Sequence, residues 1–149
     1  PLKKLLDMGF VPVLYGDAVP DSETGFTVLS GDQLTAFLAM RLLAGRIVMG
    51  VDVDGLYTAD PKADPSAKLI RHTTPQELRK LRRNIEGARV TDVTGGMWGK
   101  MMELVEAVER GIPAVIVNAK RPGNVYKALR GERVVGTTIE RGERLGRGD

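Results

Sequence analysis

The 149 residues include no cysteine and a single histidine, His72. Without a thiolate, disulfides, thiol redox chemistry and cysteine nucleophiles are excluded, and a structural zinc site lacks its usual ligands. Long apolar runs are missing too. No stretch approaches the roughly 20 residues of a membrane-spanning helix, and the opening PLKKLLDMGF holds neither an extended apolar segment nor a small-residue cleavage site. The expectation is a cytoplasmic protein with no membrane partner. Aromatic residues make up only 5% of the chain. The net charge of +3 is scattered rather than gathered into a basic stripe interleaved with aromatics, which argues against nucleic acid as the main ligand. A small anionic ligand is compatible with both facts.

What is present is a chain that is 42% hydrophobic, enough for one domain or a large part of one. It opens without methionine, and PLKKLLDMG reads as the last turns of a helix closed by Gly9, as though the chain begins partway through a fold. FVPVLYG then reads as a buried strand, DAVPDSETG as a turn, FTVLSGD as a second strand, and LTAFLAMRLLAG as a helix apolar nearly all round and therefore buried. RIVMGVDVDGLY is a strand running into a loop, TADPKADPSAK a surface loop and TPQELRKLRRNIE a short exposed helix. After it, MMELVEAVERG continues a helix that starts near two glycines, IPAVIVNA is a strand, PGNVYKALRG a helix and GTTIE a last strand. Strands alternating with helices predict a largely parallel sheet covered on both faces, spanning residues 1–140, with 141–149 as a flexible tail.

Ligands of open α/β sheets bind beyond the carboxyl ends of strands. Four loops occupy such places: YGDAVPD, LSGDQ, VDVDGLY and VTGGMWGK. Taken singly, each is explained by turn or cap chemistry. In DVTGGMWGK, however, a lysine stands in what reads as the first turn of a helix, where unpaired backbone N–H groups already carry partial positive charge. An anion placed there reverses the sign of that interaction. His72 lies far from these loops and reads as a surface or partly buried residue.

Taken in order, Gly16-Asp17, Ser30-Gly31-Asp32, DVDGLYTADP and DVTGGMWGK resemble the carboxyl-terminal half of the amino acid kinase superfamily, most closely its archaeal isopentenyl phosphate kinases. The likeness runs to about Glu140. It implies a three-layer α/β/α sandwich with a mainly parallel sheet, of which this chain is the ATP-binding half, and a missing amino-terminal half that carries most of the acceptor site. It also implies phosphoryl transfer from ATP to isopentenyl phosphate in the intact homodimeric enzyme, with Mg2+ bridging the phosphates mostly through water, and a fragment inactive alone. By the same resemblance Lys100 stabilises the transferring phosphoryl group and Asp32 orients lysines around it. Asp52, Asp54, Gly55, Tyr57, Gly95 and Gly96 hold the nucleotide, and Gly16, Asp17 and Gly31 face the substrate. Val51 stands where relatives commonly carry threonine. The spacing GGMxxK is not a P-loop. Other amino acid kinases (glutamate 5-kinase, acetylglutamate kinase, uridylate kinase) and a non-catalytic nucleotide-binding module are the alternatives.

Overall fold

The computed structural model describes residues 1–86 and 95–142. Leu2–Asp7 (α1) comes first and buries none of its side chains. Asp17–Asp21 (β1) and Gly25–Leu29 (β2) form an antiparallel hairpin. Its turn is fixed by Asp21, whose Oδ1 accepts the backbone N–H of Thr24 at 2.7 Å and that of Glu23 at 3.0 Å. Then follow Gly31–Leu42 (α2), Ile47–Val51 (β3), His72–Thr73 (β4), Pro75–Glu86 (α3), Gly95–Glu109 (α4), Ala114–Asn118 (β5), Asn124–Leu129 (α5) and Gly136–Ile139 (β6).

Four strands make the main sheet in the order β3-β5-β6-β4. The β3/β5 and β4/β6 pairs are parallel and β5/β6 is antiparallel. Alternation along β3 and β5 splits the sheet into two faces. Ile47, Met49, Ala114 and Ile116 join Ala36 and Ala39 of α2, Leu78 of α3, and Leu104, Val105 and Val108 of α4 in one buried cluster. On the opposite face Val117 is fully buried, and a side chain at Gly50 would meet Ala119 and Val125 beside α5. Helices on both faces of a mixed sheet give the expected α/β/α sandwich. Thr74 and Glu77 cap α3 reciprocally, and Arg79 of α3 pairs with Glu109 of α4 at 2.6 Å.

Three expectations need correction. Residues 10–16, read as a buried strand, pair with no strand among the described residues, and Val11 and Val13 are 87% and 89% exposed. Apolar content alone does not make a strand, because its backbone groups need a neighbouring strand to bond. The turn reading of DAVPDSETG is replaced by a strand, a tight turn and the start of another strand, since Asp21 and Gly25 suffice to reverse the chain. Finally, α2 is not buried all round: Ala36 and Ala39 are its buried residues and Phe37 is half exposed, because only one face of the helix meets α4 and β3. The short strand β4 was not legible, since two residues carry no periodicity. His72 within it is exposed, as expected. The predicted tail falls mostly in residues 143–149, outside the described residues.

The long connection from β3 to β4 is tied down by Thr137 of β6. Its buried hydroxyl accepts the N–H of Leu56 at 2.8 Å and donates to the carbonyl of Ile70 at 2.6 Å. Thr137→Val keeps the shape but strands a buried donor and an acceptor, at about 2–4 kcal/mol in total. Thermal unfolding should therefore fall by roughly 5–12 °C, whereas Thr138→Val, whose side chain is only partly buried, should shift it by no more than about 2 °C. Equal melting points would show that the connection is held by something else.

Candidate functional site

The parallel strands β3 and β5 end together at Val51 and Asn118, and the loops leaving these ends build the candidate site. Gly55 sits at φ +149°. A Cβ there would lie 2.6 Å from Thr137 Oγ1 and 3.0 Å from Leu69 Cδ1, so only glycine allows this approach. Beyond it Tyr57 bridges to Leu69. The turn thus formed and the start of α4 enclose a cleft of about 170 Å³, lined among others by Asp52, Gly55, Tyr57, Lys62, Met97 and Trp98.

Charge is paired systematically around this cleft. Asp52 accepts from Lys62 Nζ at 2.9 Å, with Lys120 Nζ at 3.8 Å. The Lys62 hydrogen bond, helped by its charge, holds the Asp52 carboxyl below the usual carboxylate range and pushes the Lys62 ammonium up. Asp54 does not line the cleft. Its two oxygens are taken by Asn118 Nδ2 at 3.0 Å and Arg121 Nη2 at 2.6 Å, which latches the β3 loop to the β5 loop.

The second part of the site lies between α2 and α4. Ser30 caps α2: its hydroxyl accepts the N–H of Gln33 at 3.1 Å, and Gln33 Oε1 accepts the N–H of Ser30 at 3.0 Å. The cap therefore needs nothing from Asp32, which is free to receive Lys100 Nζ at 2.7 Å, with 25% of its side chain exposed against 44% for the lysine. Lys100 is the sixth residue of α4, in its second turn rather than its first. The helix dipole acts mainly over the first turn, so Asp32, not the dipole, dominates the electrostatics of this lysine. Gly95 and Gly96 are the first two residues of α4. Asp92, Val93 and Thr94 of the same motif lie outside the described residues.

Gly16 packs against the start of α2, where a Cβ would stand 2.5 Å from the Leu29 carbonyl oxygen and 2.8 Å from the Gly31 nitrogen. Asp17 is exposed, and its Oδ1 accepts the N–H of Ala18. Gly16, Gly31, Asp32 and Lys100 therefore gather at the amino end of α2, while Asp52, Gly55 and Tyr57 stand at the end of β3; α4 serves both places, with Met97 and Trp98 lining the cleft and Lys100 paired with Asp32. Sequence reading missed Lys62, Lys120, Arg121 and Trp98. The signal for Lys120 and Arg121 was available, since they follow IPAVIVNA directly at a strand's carboxyl end. Lys62, ten residues from Asp52 and just past an Asp-Pro pair in a loop, had none.

The sequence profile of the amino acid kinase family matches residues 1–118. The isopentenyl phosphate kinase of Methanothermobacter thermautotrophicus is 45% identical over 140 residues, covering 93% of this chain and 52% of that protein. That of Methanocaldococcus jannaschii is 34% identical over 93% of this chain and 49% of its own length. An isopentenyl phosphate kinase crystal structure superposes with a TM-score of 0.74 at 39% identity, covering 93% of this chain and 49% of that one. The chain thus spans about half the length of the relatives it matches.

Removing the Ser30 hydroxyl and neutralising Asp32 should separate cap from site. Ser30→Ala should cost about 1 kcal/mol of stability. Asp32→Asn should cost less than about 0.5–1 kcal/mol, the range of a partly exposed ion pair. Denaturant unfolding of both variants checks this, and the reverse order would make Asp32 the cap.

Proposed function

The chain belongs to the amino acid kinase family, and on that premise we propose that it is the nucleotide-binding half of an isopentenyl phosphate kinase. In the intact enzyme a phosphate oxygen of isopentenyl phosphate attacks the γ-phosphorus of ATP. The bond from that phosphorus to the β,γ-bridging oxygen breaks, and isopentenyl diphosphate and ADP leave. Such a reaction asks the protein for positioning and for positive charge around the transferring group. The observation that carries the reading is the Lys100–Asp32 pair, 2.7 Å long, with Lys100 on the helix that opens on two glycines.

In this proposal Lys100 moves from Asp32 toward the γ-phosphoryl oxygens as charge develops there, and Asp32 keeps the ammonium aimed. Gly95 and Gly96 let backbone N–H groups approach the phosphates closely. Asp52, Gly55 and Tyr57 border the ribose and base, Asp54 acts through its latch to Asn118 and Arg121, and Gly16, Asp17 and Gly31 lie on the acceptor side. No three His, Asp or Glu side chains converge among the described residues. Asp32 and Asp52 are both engaged with lysines, an arrangement that suits Mg2+ carried on the nucleotide with most of its water and neutralising phosphate charge there. The acceptor pocket is assigned largely to an amino-terminal half, and the intact enzyme is read as a homodimer. The described residues contain no helix long and apolar enough to cross a membrane, and we place the enzyme in the cytoplasm.

Titration of the chain with ATP and Mg2+ tests the nucleotide reading. ATP and ADP should bind, Lys100→Ala should weaken ATP about tenfold or more while leaving adenosine unaffected, and the wild-type chain alone should form no isopentenyl diphosphate. In the full-length enzyme the same substitution should lower kcat by about 100-fold or more. Unchanged ATP affinity together with unchanged kcat would reduce Lys100 to a surface ion pair.

A further inference from the structure

The short helix α5 covers only part of its face of the sheet. Val117 beneath it is fully buried, yet Val115 and Thr138, on the same face, are only partly buried. The uncovered part is the floor of a cleft of about 760 Å³ between the sheet and loop 131–135, and it shares no lining residue with the cleft at the end of β3.

Its charge is lopsided. Arg46, Arg71 and Arg133 line it with Glu132 and Glu140, but Glu132 is already held by Arg130 at 2.9 Å. Among the described residues Arg71 and Arg133 form no ion pair, so three guanidinium groups are left with one unpaired carboxylate, Glu140. Arg46 is fixed in place. Its Nη1 donates to the carbonyl of Ala128 at 3.0 Å, and Gly131, at φ +76°, lies so close that a Cβ there would stand 2.8 Å from Nη2. Loop 131–135 adds donors of its own: the N–H groups of Arg133, Val134 and Val135 bond to no acceptor among the described residues, and neither does the Thr138 hydroxyl. One anchored guanidinium, two more without an ion pair, open backbone N–H groups and a hydroxyl make up a recognition set for phosphate oxygens. An apolar ligand would leave these donors unmet, and a cation would face the arginines.

We infer that this cleft is a second anion site, separate from the nucleotide cleft, which takes a compact phosphate-bearing ligand of the diphosphate class. Arg71 and Arg133 bind its oxygens, Arg46 forms the anchored wall, and the N–H groups of loop 133–135 complete the contact. The site rests on this geometry alone and stands whether or not the nucleotide reading does.

Amide NMR shifts of the chain during titration with inorganic diphosphate test it. Millimolar diphosphate should move the amides of residues 133–138, both in the wild type and in Lys100→Ala. In the Arg71→Gln/Arg133→Gln double variant the apparent affinity read at those amides should drop by about tenfold or more. Glu140→Gln, which removes the opposing carboxylate, should tighten it, and this variant keeps the test valid if the double variant misfolds. ADP in place of diphosphate distinguishes the sources: a stronger response at residues 133–138 assigns the site to a nucleotide's phosphates, an equal one to free diphosphate. The inference is overturned if those amides stay still while those near Gly55 move, or if neither arginine removal nor Glu140→Gln changes the response.

Discussion

The closeness of Gly55 to Thr137 is the constraint on which the site depends. Twenty residues separate β3 from β4, and a connection of that length could leave the end of β3 in many directions. One buried hydroxyl, bonded both to Leu56 N–H and to the Ile70 carbonyl, gathers the two ends of the connection onto β6. The hydrogen bond to Leu56 requires the preceding residue to lie against Thr137, and the resulting φ of +149° requires glycine. Gly55 is thus explained by packing within the protein before any nucleotide is considered. It also sets where Asp52, Tyr57 and Lys62 stand around the cleft.

Charge is then organised as pairs that link separate elements: Lys100 of α4 with Asp32 of α2, Lys62 with Asp52, and Arg121 with Asp54. Each is at least partly exposed, and pairs of this kind contribute only about 0–1 kcal/mol. Their small value is the useful property. An exposed ion pair holds a lysine in place without binding it tightly, so in the proposed function a triphosphate, with several charges, draws the ammonium away at little cost. Asp54 is the exception, because it is the least exposed of the three carboxylates and accepts from two partners. That arrangement suits a latch better than a ligand contact.

The sequence was informative where the signal was local. The helices α3, α4 and α5 and the strands β3, β5 and β6 follow from periodicity and glycine stops, and Lys100 and Asp32, 68 residues apart, were both singled out before the structure brought them to 2.7 Å. It was silent where structure depends on partners distant along the chain. Residues 10–16 have the composition of a strand but no neighbouring strand among the described residues, and α2 looks buried by composition although one face alone is packed. Thr137 was invisible for the same reason. A threonine in a strand is ordinary until the loop that crosses it is known.

The central claim is that Lys100 exchanges Asp32 for phosphate oxygens. Direct observation of the Lys100 side-chain ammonium by proton-nitrogen NMR at low temperature tests it most simply. The account predicts a resonance that shifts on adding ATP with Mg2+, shifts much less on adding AMP, and moves in Asp32→Asn even before nucleotide is added. A resonance that senses Asp32 but ignores ATP, while other amides report that ATP is bound, would contradict it.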